Sequence, residues 1–100
     1  MYIDIPKGTV IKGIKEIGQK DLVLKEDLKI KIKAEISYEI SDVNLNCFLS
    51  HTDLNSLKEE FLLDLKANYN LYTGHEDETL TEGAQQVKYK MLELLEESEG

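Results

Sequence analysis

The chain has 100 residues, 41% hydrophobic and 32% charged, which supplies one modest core and argues against disorder along its whole length. Its longest apolar runs, such as Leu22-Val23-Leu24 and Phe61-Leu62-Leu63, fall far short of the roughly 20 residues a bilayer span needs, and Cys47 is the only cysteine, which excludes an internal disulfide. The net charge is −8 and all 12 basic residues are lysine, so the planar fork with which arginine reads phosphates and guanine edges is missing and no specific nucleic-acid partner is expected.

Residues 2–5 read as a short strand stopped by Pro6-Lys7-Gly8, a fixed φ followed by a permissive glycine. From Thr9 to Leu24 the branched residues Val10, Ile11, Ile14, Ile17 and Val23 favour extended chain, with Gly13 and Gly18 marking bends. After the polar break Lys25-Glu26-Asp27 comes "KIKIKAEISYEI", residues 29–40, with an apolar side chain at every even position. This is the period of a two-faced strand, predicted to run unbroken to Ser41-Asp42.

The period then lengthens. Leu54, Leu57, Phe61, Leu65, Tyr69 and Tyr72 advance by three or four and line one face of a helix, capped by Asp53 or Ser56, with stop candidates at Asn68, Asn70 and Gly74. A second helix starts near Thr79 or Thr81 and carries Ala84, Val87, Met91, Leu94 and Leu95 on one stripe. Glu96, Glu97 and Glu99 crowd its end, where the helix dipole prefers cations. Strands first and helices after predict a single α+β domain over 1–100, a mainly antiparallel sheet of N-terminal strands with two amphipathic helices packed on one face. The charge divides along the chain: residues 1–33 hold 8 lysines against 5 acids, and the remainder 4 against 15.

Few residues suggest chemistry. Cys47 and His51 would share a face if residues 47–51 were helical, but Phe48-Leu49 beside Cys47 point to a core edge. His75-Glu76-Asp77-Glu78 send consecutive side chains in divergent directions, unlike the separated ligands of a metal motif, and read as a solvated loop. No phosphate-binding glycine loop, paired-cysteine motif or hydrolase elbow occurs, so no enzyme, catalytic residue, metal or cofactor is expected. Tyr89, flanked by Lys88 and Lys90 and off the apolar stripe, is the candidate exposed contact.

From about residue 22 to 100, the order and lengths of "LKED", "KIKIKAEISYEISDV", "LNSLKEEFLLDLKANYN" and "TLTEGAQQVKYKMLELLEESEG" resemble the band-7 (SPFH) domain of the stomatin, prohibitin and flotillin group. Lys25, Tyr38, Ile40, Asp42, Leu65 and Lys66 fall where similar residues are expected. Leu24, Glu26, Asp27, Glu39, Val43 and Asn70 depart from the family pattern, and the membrane anchor, following strand and coiled-coil helix usual in the family are not read in the sequence. The resemblance implies a non-enzymatic scaffold whose copies associate side by side into homo-oligomers at a membrane and organise membrane-associated protein partners, while the single cysteine fits a reducing compartment, so the expected location is cytoplasmic and peripheral to a membrane. In that picture Lys29, Lys31 and Lys33 of one copy face the acidic helical side of the next, a heterologous contact.

The alternative is a small acidic inhibitor of phage or plasmid type, whose Glu59, Glu60, Asp64, Glu76, Asp77 and Glu78 imitate phosphates on a basic groove of a host protein.

Overall fold

The computed structural model describes residues 1–98. Among these, the strands are β1 (Tyr2–Ile5), β2 (Val10–Ile11), β3 (Leu22–Leu24), β4 (Leu28–Lys31), β5 (Lys33–Ala34), β6 (Tyr38–Asp42), β7 (Cys47–His51) and β8 (Leu95–Glu97), and the helices are α1 (Leu54–Thr73) and α2 (Glu82–Leu94). Every strand pairing is antiparallel, so the α+β class holds. The strands form three small sheets, β1–β4, β2–β3–β8 and β5–β6–β7, where the sequence predicts one.

The alternating stretch 29–40 is a hairpin, not one long strand. It passes through β4 and β5, turns at residues 35–37 and returns as β6, with Lys33 opposite Glu39 and Ala34 opposite Tyr38. Ile30, Ile32 and Ile40 are buried as the alternation demands, but Ile36 sits at the turn and is fully exposed. Residues 34 and 38 face each other across the hairpin and so point to the same side of the sheet, and both are even. The period of two therefore runs through the turn unbroken.

Asp53 caps α1, its carboxylate accepting from the Ser56 amide at 3.0 Å, and the helix runs past Asn68 and Asn70 to Thr73. Asn68 does not stop it because its side-chain amide is engaged elsewhere, donating to the Leu45 carbonyl at 2.8 Å and the Asn46 carbonyl at 3.0 Å. These bonds anchor the turn between β6 and β7, where Asn46 takes a left-handed φ of 50°. Thr81 caps α2 through the Ala84 amide, rather than Thr79.

As far as Ser98 the chain after α2 does not fray, and Glu99 lies outside the described residues. The helix stops at Leu94, and Leu95 is buried at the start of β8, which pairs with β3 in the register Leu24 to Leu95. The cation that the helix end calls for comes from a distant residue: Lys25 Nζ lies 3.0 Å from the Leu92 carbonyl, and the Lys25 amide donates to Leu94 O at 2.7 Å. Glu97 pairs with Lys20 at 3.7 Å.

α1 packs against α2 and against β7, β6 and β2, while α2 also meets β8. Between them lies one apolar core in which Leu57, Phe61, Leu65, Met91 and Leu94 meet isoleucines and leucines of the strands. No helix among the described residues is long and apolar enough to cross a membrane.

Candidate functional site

Pleating sends Tyr2 and Asp4 of β1, Lys29 and Lys31 of β4, and Lys33 of β5 to solvent, while Ile3, Ile5 and Ile30 face the core. The three lysines are thus exposed along one strand run, but other strands supply carboxylates beside them. Asp4 is directly opposite Lys29, Glu39 is opposite Lys33, and Glu35 pairs with Lys33 at 3.6 Å. Lys29 also lies over the Tyr2 ring, 4.8 Å from its centroid. Lys31, opposite Tyr2, lines a groove of about 150 Å³ with Lys33, Glu39 and Ser41. Cross-strand pairing offsets this row within the domain, and it offers a second molecule little net positive charge.

The other predicted residues are spread over α1, the interhelical loop and α2. Glu59 and Glu60 are exposed on α1, with Glu60 Oε1 3.8 Å from His51 Nε2. Asp64 is half-buried beside Cys47. Burial first, then the carboxylates of Asp64 and Asp42, push the Cys47 thiol well above its ordinary range. Cys47 and His51 stand at opposite ends of β7, about 13 Å apart along a strand. They form no thiolate–imidazole pair.

Tyr89 is half-exposed, and its hydroxyl donates to the Asp77 carboxylate, whose other oxygen meets Lys88 Nζ at 2.9 Å. The Tyr89 hydroxyl and then Lys88 hold Asp77 below the usual carboxylate range. Tyr89 thereby ties α2 to the loop before it. Among the described residues no group of acidic, histidine and cysteine side chains is arranged to hold a metal ion.

The one buried carboxylate among the described residues, Asp21, organises the loop between β2 and β3. It accepts from the Gly13 amide at 2.9 Å and meets Lys15 Nζ at 3.1 Å and Lys12 Nζ at 3.4 Å, and these donors, Gly13 first, lower its pKa to about 2. Lys66 of α1 reaches this loop through the Lys12 carbonyl at 3.2 Å.

The feature that sequence reasoning missed lies on α1. Its predicted apolar stripe is buried at Leu57, Phe61, Leu65 and Tyr69, yet Leu63 and Leu71 remain 56% and 54% exposed. With exposed Ala67 midway between them, they form an apolar ridge at intervals of four residues, bordered by Glu59, Glu60 and Asn70. The signal was present in the sequence as leucines outside the core stripe. Exposed Phe48 on the outer face of β7 and Ile36 at the hairpin turn are further apolar groups open to solvent.

Comparisons with family models, with curated proteins and with solved structures gave no match for this chain.

Proposed function

We propose that the chain is a non-enzymatic interaction domain that associates with copies of itself and presents the assembly to protein partners, in the manner implied by its resemblance to band-7 domains. The observation that carries this reading is the exposed Leu63–Ala67–Leu71 ridge on a helix whose opposite face is fully committed to the core. Leucines held out to water on a regular, rigid element gain free energy when another surface covers them. The order of elements adds support, since β8 follows α2 as a strand follows the second helix in that family.

The lysine row is less suited to this role than the ridge, because Asp4, Glu35 and Glu39 already offset it. The test is sedimentation equilibrium over a wide range of protein concentration. A mean mass rising above the 11.5 kDa of one chain supports the reading, and 11.5 kDa at every concentration refutes self-association.

One observation favours the acidic-inhibitor reading. Glu59, Glu76, Glu78 and Glu82 are exposed and take part in no ion pair among the described residues. A monomer that bound a strongly basic protein, with affinity falling steeply as salt rose, would favour this second reading.

A further inference from the structure

We propose that the outer ridge of α1 is a two-fold interface with a second copy of this chain, the helices crossing antiparallel at Ala67. The inference rests on the self-association reading and names the surface that carries it. Glu59, Leu63, Ala67, Leu71 and His75 follow one another at intervals of four residues, and all five are exposed. The first four lie on α1. Gly74 keeps a right-handed helical backbone, and the His75 amide bonds to the Tyr72 carbonyl, so the row continues just past the end of the helix.

The row is complementary to itself under a two-fold rotation through Ala67. Leu63 and Leu71 stand four residues to either side of it, so each leucine meets the other kind on the second copy. Glu59 and His75 stand eight residues to either side, which sets a carboxylate against an imidazole. A partner of unrelated sequence would have to supply this order of groups, whereas a second copy already carries it. That is the condition for an isologous contact.

The geometry suits helix packing as well. Two helices that cross come closest at one point, and the smallest side chain of the row, Ala67, sits there. The two leucines are about 12 Å apart along the axis at 1.5 Å rise per residue, a span one crossing helix covers.

Salt separates this contact from one made through the lysine row. Each copy carries a net charge of −8, so two copies repel at long range, and screening that repulsion strengthens a contact with an apolar centre. A contact made by lysines against acids weakens with salt.

The experiment combines sedimentation equilibrium of the intact chain at low and high sodium chloride with two variants. Leu71→Lys is placed at an exposed helical position and its fold is checked by circular dichroism. The expected result is a dimer that holds or tightens with salt, and a dissociation constant raised at least about 30-fold by Leu71→Lys, the effect of two modest hot-spot losses across a two-fold axis. Ala67→Cys, oxidised with diamide, is expected to cross-link to itself and run at the dimer mass on a non-reducing gel, because a residue on the axis faces its own copy. Self-association that survives Leu71→Lys, or an Ala67→Cys that does not cross-link while the chain is dimeric, overturns the ridge and leaves the self-association reading in place. A wild-type chain that is monomeric at all concentrations overturns both.

Discussion

Asn68 offers the sharpest test of how the fold is held together. It is 7% exposed in the middle of α1, and its side-chain amide donates to two carbonyls of the turn between β6 and β7. Asn68→Ala removes both bonds, each worth about 1 kcal/mol net, and leaves the Leu45 carbonyl short of a donor inside the protein. Alanine's higher helix propensity returns about 0.5 kcal/mol. The expected loss is therefore about 1.5 kcal/mol, or roughly 6–12 °C in Tm for a domain of this size. Urea titration measured by circular dichroism gives the value directly.

Asn68→Asp makes the argument more specific. It keeps the size of the side chain but turns a carboxylate toward two carbonyl oxygens in a buried site, so at pH 7 it should destabilise by more than alanine does. The folded pKa of that aspartate would lie above its unfolded value of about 3.9, so the charge penalty is absent below about pH 4 and grows as pH rises toward the folded pKa. Asn68→Asp should recover stability relative to Asn68→Ala on acidification. An alanine variant within about 0.5 kcal/mol of wild type, or an aspartate variant no worse than alanine at pH 7, would refute the turn-anchoring role.

Asp21, with its pKa lowered to about 2 by Gly13 and the lysines, contributes stability that is complete above about pH 4 and is lost as pH falls toward 2. Asp21→Asn should be less stable than wild type at neutral pH and show a shallower acid-unfolding profile over that window. Cys47 is fully buried with its thiol pKa raised, so a thiol reagent such as iodoacetamide should modify it in urea and not in the native protein; fast native labelling would contradict its burial. A Cβ added at Gly13 would lie 2.4 Å from the Lys20 carbonyl oxygen, backbone that cannot swing aside. Gly13→Ala should therefore cost about 2 kcal/mol in urea unfolding, and a neutral result would show that the loop between β2 and β3 is free to move.

The sequence made the helices legible because a 3.6-residue period with a capping Asp53 or Thr81 leaves little alternative. The hairpin hidden in residues 29–40 was not legible, for two reasons. Pairing residue 34 with 38 preserves the alternation, and Glu35-Ile36-Ser37 contains no glycine, proline, asparagine or aspartate. β8 was missed because three acidic residues in the neighbourhood of a helix end look like a misfit, whereas the compensating cation, Lys25, is distant in sequence. The lysine row was seen, but the carboxylates beside it come from β1, β6 and the turn before β6, and a one-dimensional reading does not bring those segments together. The α1 ridge escaped because the buried stripe accounted for the helix, and Leu63 and Leu71 passed as surplus hydrophobicity.

The pairing of β8 with β3 has a kinetic consequence. The β5–β6–β7 sheet joins segments that are near in sequence, and it and the helix pair can form early, whereas β1 has to reach β4 from Ile5 to Leu28. The β2–β3–β8 sheet requires Leu24 to find Leu95 across most of the chain. Closing so long a loop carries the largest entropy cost of any contact in the domain, so it belongs late on the folding route. Mutations at Leu95 should then speed unfolding while leaving the folding rate almost unchanged, whereas those at Phe61 should slow folding. The last strand acts as a latch: it contributes little to starting the fold and governs how long the folded state lasts.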